Sequence, residues 1–435
     1  MPGRPFLQVP GPTNVPERIL RAMAQPVLDH RGAEFAALTR ELLDGLKRVF
    51  QTTAGTVVLF PGSGTAGWEA AIVNTLAPGD RVLAAVNGQF GTLFAQCAQA
   101  LGMEVEEIAI PWGAAVSPAA IQERLAADRA HAIKAVLVVH NETSTGVTSD
   151  VAAVRAAMDA ARHPALLLVD AVSSLGSIDF RFDEWGVDVA VCGSQKGLML
   201  PPGTAILCVG PGALAAGERG GSPRYFLDWR PVIAQNRDGF FPYTPATSLL
   251  LGMREALHLL FEEGLARVFA RHTRLAEGVR RAVRAWELPI LCGDAQSYSP
   301  TLTAVVLPEG MDSGRLIAWA AAHLHLSLGA GLGNLRGRVF RIGHLGWLNE
   351  VEVLGVLGGV EIALNVAGIQ VPPGSGVSAG ASWFLHSLRV TAGDGAQKSC
   401  WRGARSMLRP IERRRACRRR RPSCAATPAC CAIIR

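Results

Sequence analysis

A lysine placed behind a buried apolar run can shed its proton by desolvation and then attack a carbonyl. Lys196 stands in such a place, in Val191-Cys192-Gly193-Ser194-Gln195-Lys196-Gly197, ahead of the turn Pro201-Pro202-Gly203. Lysine is scarce here: among 43 Lys plus Arg it occurs only as Lys47, Lys134, Lys196 and Lys398. Lys47 shares the polar face of a helical pattern with Arg40 and Asp44, Lys134 leads into an apolar strand, and Lys398 falls in a polar tail. A second run, Leu166-Leu167-Leu168-Val169, ends in Asp170, 26 residues before Lys196. Strand ends that deliver polar residues are where open α/β sheets build ligand sites. The interval holds one loop, one short helix and one strand, which returns both residues to one sheet edge.

An amine and a carboxylate at a shared site have two readings. One is a plain Asp–Lys salt bridge. The other is a seat for pyridoxal phosphate, which forms a Schiff base with lysine while a carboxylate keeps its ring nitrogen protonated. The second reading needs a phosphate site. Val57-Val58-Leu59-Phe60 reads as a strand, followed by Pro61-Gly62-Ser63-Gly64-Thr65-Ala66-Gly67 and a helix from Trp68. A Gly-rich turn entering a helix offers free N–H groups and a positive dipole end to an anion; it can equally be a tight connection. It lacks the lysine of a Walker A loop and the G-x-G-x-x-G spacing, which argues against a nucleotide. A third strand, Ala135–Val139, ends in His140-Asn141-Glu142-Thr143-Ser144-Thr145-Gly146. That cluster could bond a cofactor's ring hydroxyl or form an ordinary turn before a capped helix.

Taken together these segments resemble the class V pyridoxal-phosphate aminotransferases, and within them the serine–glyoxylate and alanine–glyoxylate branch. The matching segments are Pro10-Gly11-Pro12-Thr13-Asn14-Val15-Pro16, Gly62 to Thr65, His140 to Gly146, Asp170-Ala171-Val172-Ser173-Ser174, Gly193 to Gly197, Pro242-Tyr243-Thr244-Pro245, and Val339-Phe340-Arg341-Ile342-Gly343-His344-Leu345-Gly346. The likeness runs from the N-terminus to about Val371. It implies that Lys196 carries the cofactor's Schiff base and that Asp170 pairs with its ring nitrogen. Val172 and Phe90 would lie on the two ring faces and Thr143 beside the ring hydroxyl. Ser63, Gly64, Thr65 and Gln195 would bind the phosphate. Tyr243 and Thr244 would reach the phosphate of a neighbouring subunit, so the site needs a homodimer. Arg341 would bind the substrate carboxylate as a two-pronged fork. Phe90, Ala171 and Trp347 depart from residues common in such relatives and leave the amino donor open.

The elements that must position these residues alternate. Glu34 to Phe50 has Phe35, Leu38, Leu42, Leu46 and Val49 at helical spacing. Strands are expected at Val57–Phe60, Arg81–Val86, Val105–Ile110, Ala135–Val139, Leu166–Asp170, Val187–Cys192 and Ala205–Val209. With helices between most of them, this is an α/β protein with a mostly parallel seven-stranded sheet; the resemblance implies pyridoxal-phosphate fold type I. A long helical stretch from Leu249 to Trp286 leads to a smaller C-terminal α+β domain holding Arg341. The expected organisation is an arm over 1–22, a large domain over 23–255, a small domain over 256–383 and an aberrant basic tail over 384–435. His272, His323 and His325 lie in helical patterns and read as core or surface residues.

The net charge of +7 is carried by that tail. From Phe384 onward there are 13 Lys plus Arg against 2 Asp plus Glu, which leaves 30 against 34, or −4, for the rest. A mildly acidic body gives no argument for nucleic acid. Arg413-Arg414-Arg415 and Arg418-Arg419-Arg420-Arg421 predict disorder by mutual repulsion. Cys400, Cys417, Cys424, Cys430 and Cys431 crowd the tail, and Cys430-Cys431 with no nearby His is a poor zinc pattern. Cys97, Cys192, Cys208 and Cys292 sit in apolar settings, as buried free thiols do. No apolar run approaches the ~20 residues of a membrane helix, and the N-terminus lacks a charged-then-apolar leader pattern, so a cytoplasmic protein is expected. The expected reaction moves an amino group from serine or alanine to glyoxylate. Its rivals are a ureidoglycine–glyoxylate aminotransferase, an inactive dimer with an RNA-binding tail, and a phosphate-binding module without Schiff-base chemistry. A cysteine desulfurase would need a late catalytic Cys, absent between Gly329 and Arg341.

Overall fold

The computed structural model describes residues 5–218 and 222–393. Residues up to Ser387 form one compact unit with a seven-stranded and a four-stranded sheet. The larger sheet runs, edge to edge, Thr56–Gly62, Gly203–Val209, Val189–Gly193, Leu166–Asp170, Ile133–Val139, Arg81–Val86 and Glu104–Ala109. Every neighbouring pair is parallel except those made by Gly203–Val209, which is antiparallel on both sides. The central strands are apolar through their middles, with charged residues only at or next to their ends, because helices cover both faces. Val189–Gly193 is buried at every residue. Glu104–Ala109 stays partly exposed and carries Glu104, Glu106 and Glu107, as suits an edge.

The helix Ala33–Phe50 buries Phe35, Leu38, Leu42, Leu46 and Val49, the stripe its spacing requires. The long helical stretch is two helices, Thr247–Glu263 and Leu265–Ala285, because Gly264 takes φ 85° between them. That left-handed conformation suits a residue without Cβ. The N-terminal segment supplies an unexpected strand: Phe6–Gln8 pairs in parallel with Leu326–Ala330 and extends the small sheet, whose order continues to Val339–Gly343 and Leu302–Val306. Helix Glu17–Met23 then packs on Thr247–Glu263, where Arg18 pairs with Glu255 and Glu262. Cys192, Cys208 and Cys292 are buried and free. None of the described helices is long and apolar enough to cross a membrane.

Helix Ser375–Gly393 runs through position 384. Phe384 is buried in the second apolar core, and Gly278 leaves the space its ring occupies. Beside it Trp383 Nε1 donates to Arg274 O at 2.9 Å and Arg281 lies over the Trp383 ring. Removing the ring should therefore leave a cavity: Phe384→Ala is expected to destabilise the protein by about 3–5 kcal/mol, read from urea unfolding. The expectations for the arginine runs and tail cysteines lie outside the described residues.

Candidate active site

The carboxyl edge of the large sheet is where the polar residues gather. Strand Val189–Gly193 ends in a loop closed on itself: Ser194 Oγ donates to Pro201 O at 2.7 Å and accepts from Thr204 N at 3.2 Å, and Met199 N donates to Lys196 O at 2.9 Å. This fixes the backbone of Lys196, and its side chain enters a pocket of about 140 Å³ shared with Asp170. The two form no ion pair. Lys196 Nζ donates to Pro10 O, while Asp170 Oδ1 accepts from Val172 N at 2.7 Å and Oδ2 from Trp68 Nε1 at 3.2 Å. The plain salt bridge is thus not what the geometry contains.

Burial dominates both titrations. It pushes the Lys196 amine down to about 8, with the Arg341 charge helping and Asp170 opposing. It pushes the Asp170 carboxyl up to about 7, against the hydrogen bond from Val172. An amine that is easily deprotonated and a buried carboxylate without an adjacent cation are two halves of a site that wants a ligand.

Ser63, Gly64 and Thr65 line the same pocket at the start of helix Gly64–Thr75. No side chain caps this helix, so its first N–H groups keep their positive end for a ligand. A Cβ on Gly64 would come within 2.6 Å of Val172 Cγ2, so the turn can approach Val172 only as glycine. Val172, Phe90, Thr143 and Gln195 also line the pocket. Gln195 Oε1 is buried without a hydrogen-bond partner among the described residues. An uncapped helix start, whose N–H groups suit a phosphate, and a buried carboxylate without an ion-pair partner, which suits a protonated ring nitrogen, fit a phosphorylated, nitrogen-bearing ring.

Arg341 sits on Val339–Gly343, in the small sheet. Its Nε donates to Ala330 O and its Nη1 to Thr143 O, both at 2.8 Å. No carboxylate pairs with it among the described residues, and burial pushes the guanidinium down to about 10. Tyr243 and Thr244 are not brought to this pocket. Tyr243 stacks on Phe226 at 4.6 Å and donates to Phe226 O, and Thr244 is exposed.

Sequence reasoning gave no role to Trp68, Asn141, Ser173 or Pro10. Trp68 stacks on Phe94 at 5.3 Å with its N–H on Asp170, although its place after the Gly-rich turn was a signal. Asn141 Nδ2 donates to Ser173 Oγ at 2.7 Å and Thr301 Oγ1 at 2.9 Å, which ties the 140–146 cluster to both sheets. Pro10 belongs to a segment whose motif was visible. Its contact with Lys196, 186 residues away in sequence, was not.

The family model for class-V aminotransferases matches residues 6–320. Serine–glyoxylate aminotransferase of Methylorubrum extorquens is 51% identical over 88% of this chain and 96% of its own length. L-aspartate–glyoxylate aminotransferase of Paracoccus denitrificans is 47% identical over 85% and 94%. The crystal structure of ureidoglycine–glyoxylate aminotransferase from Bacillus subtilis matches with a TM-score of 0.82 at 28% identity, covering 88% of this chain and 99% of that one. With Lys196, Asp170 and the uncapped helix in one pocket, the chain belongs to the class-V aminotransferases, a pyridoxal-phosphate-dependent family.

Proposed function

We propose that this protein transfers the amino group of a small amino acid, serine or alanine, to glyoxylate in two half-reactions, giving glycine. The observation that carries the reading is the buried, mutually unpaired couple of Lys196 and Asp170 beside the free start of helix Gly64–Thr75. The serine–glyoxylate relatives support the choice of substrates.

When bound, pyridoxal phosphate supplies an aldehyde for an amine and a cationic ring that accepts the electrons of a breaking Cα–H bond. Ser63, Thr65, the helix N–H groups and the Gln195 amide hold the phosphate. Phe90 and Val172 would flank the ring, and Thr143 would offer a hydrogen bond to its hydroxyl. Asp170 would hold the proton on the ring nitrogen, and the cation formed there would draw the carboxyl back down and keep it ionised. Lys196 would anchor the cofactor through its aldehyde; once freed by the substrate amine, it would take the proton from the amino acid's Cα and deliver it to the cofactor's former aldehyde carbon, not back to Cα. Its lowered pKa keeps enough neutral amine near neutral pH for both tasks. Arg341 receives the substrate carboxylate. In a homodimer, Tyr243 and Thr244 complete the partner's phosphate site.

The test is an absorbance spectrum. The loaded protein is expected to show a band at roughly 400–430 nm that bleaches with L-serine and returns with glyoxylate. The absence of a band after pyridoxal phosphate is added would overturn the reading. Comparing serine, alanine, aspartate and ureidoglycine as donors identifies the preferred one. Added to cofactor-free protein, pyridoxal phosphate should bind faster as pH rises, about tenfold per unit below about 8 and level above it, because the neutral Lys196 amine is the attacking form.

A further inference from the structure

Glu142 is fully buried and no role in the proposed chemistry uses it. Its Oε2 accepts from Phe90 N at 2.9 Å and Gly91 N at 3.0 Å. Its Oε1 accepts from Ser144 N at 2.9 Å and Ser144 Oγ at 2.7 Å. Ser144 Oγ in turn accepts from Gln89 N at 2.9 Å. The helix Gln89–Ala100 has no cap from its own N-cap residue, Gly88, so its first three N–H groups depend on a carboxylate and a hydroxyl more than fifty residues later. Gly88 permits this approach: a Cβ there would lie 2.5 Å from Glu142 Cδ and 2.6 Å from Ser144 Oγ.

The capped turn holds Phe90, which lines the pocket. The residue after Glu142 is Thr143, which lines the pocket and whose carbonyl receives Arg341 Nη1. The Glu142 charge also acts on Arg341, opposing the downward push that burial gives its guanidinium. A ring-face residue, a ring-hydroxyl residue and the substrate fork therefore meet at one carboxylate.

We infer that Glu142 is a positioning residue that sets the placement of Phe90, Thr143 and Arg341, and through Arg341 the enzyme's preference for an amine bearing a carboxylate. The inference rests on the function proposed above. Burial raises the Glu142 pKa while its four donors oppose that shift. The role needs only an acceptor for those donors.

Glu142→Gln keeps the shape but turns an NH2 toward two N–H groups or toward Ser144. Hydrogen exchange in the cofactor-free variant should quicken at least about tenfold at Phe90 and Gly91 or at Ser144, whichever amides face the NH2 in place of an acceptor oxygen, with strand Val189–Gly193 unchanged. In the loaded enzyme, kcat/KM for serine should fall about 10- to 100-fold, chiefly through KM, as a misplaced binding group costs. The loss with ethanolamine, which has no carboxylate for Arg341, should be at least about tenfold smaller. Unchanged exchange at Phe90, Gly91 and Ser144 alike would overturn the inference, as would equal losses on the two amines, which mark a general structural role. Should the wild-type protein turn over no amine, the functional reading falls, while the exchange comparison still decides whether Glu142 organises this turn. If Glu142→Gln does not fold, Ser144→Ala removes the relay to Gln89, and the same pattern at smaller amplitude is expected; its absence would overturn the inference.

Discussion

Lys196→Ala is expected to lower amino transfer at least about 10,000-fold, because it removes both the attachment point and the group that moves the substrate's proton. The variant should still bind pyridoxal phosphate, but without the band at roughly 400–430 nm, and borohydride should leave no label in the peptide over 191–197, where the wild-type protein retains one. The fold should survive. Lys196 titrates at about 8 in place of 10.5, so between those values the folded cofactor-free protein binds fewer protons than the unfolded chain. Its stability therefore rises with pH across that window, and below about 8 the buried ammonium is a full liability. Alanine removes that liability, so cofactor-free Lys196→Ala should be the more stable form at pH 7. The difference should shrink as pH rises toward 10.5. A variant less stable at pH 7 would mean that the contact with Pro10 O outweighs desolvation.

The same physics explains which features were legible in the sequence. Arg81–Val86 and Leu166–Asp170 have the expected bounds because a strand covered on both faces needs an apolar run, here Val82 to Val86 and Leu166 to Val169, with a charged residue marking one end. Asp170 and Lys196 stood out as polar residues ending such runs, and strand direction alone then places them on one edge. The strand Phe6–Gln8 was hidden because three residues carry no period and its partner, Leu326 to Leu328, lies more than 300 residues on. Gly264 inside an apolar helical pattern reads as a tolerated residue until its positive φ is seen. Glu142 read as one member of a polar turn, since its worth comes from N–H groups at Phe90 and Gly91 that no local pattern announces. Phe384 reads as part of the tail because no sustained period marks that stretch and the resemblance ends before it, while its burial depends on the missing side chain of Gly278.

Arg341→Leu should lower kcat/KM for serine by about 100- to 10,000-fold, from two charge-assisted hydrogen bonds of about 1.5–3 kcal/mol each at 1.36 kcal/mol per decade. The guanidinium suits this task because its other contacts are to backbone. Ala330 O and Thr143 O fix its plane and leave Nη2 without a protein acceptor among the described residues. A buried cation kept without a carboxylate partner is costly to the fold, and a substrate carboxylate supplies what is missing. Leucine also strands two carbonyls, so some stability is lost, and the kinetic effect needs separating from it. Arg341→Lys does so: the charge stays while the fork geometry goes, and kcat/KM for serine should fall between the two. Ethanolamine turnover should be nearly insensitive to both changes, since it never engages the fork. If serine and ethanolamine lost activity in equal measure, Arg341 would be serving the pocket's shape, and the carboxylate would have to be bound elsewhere.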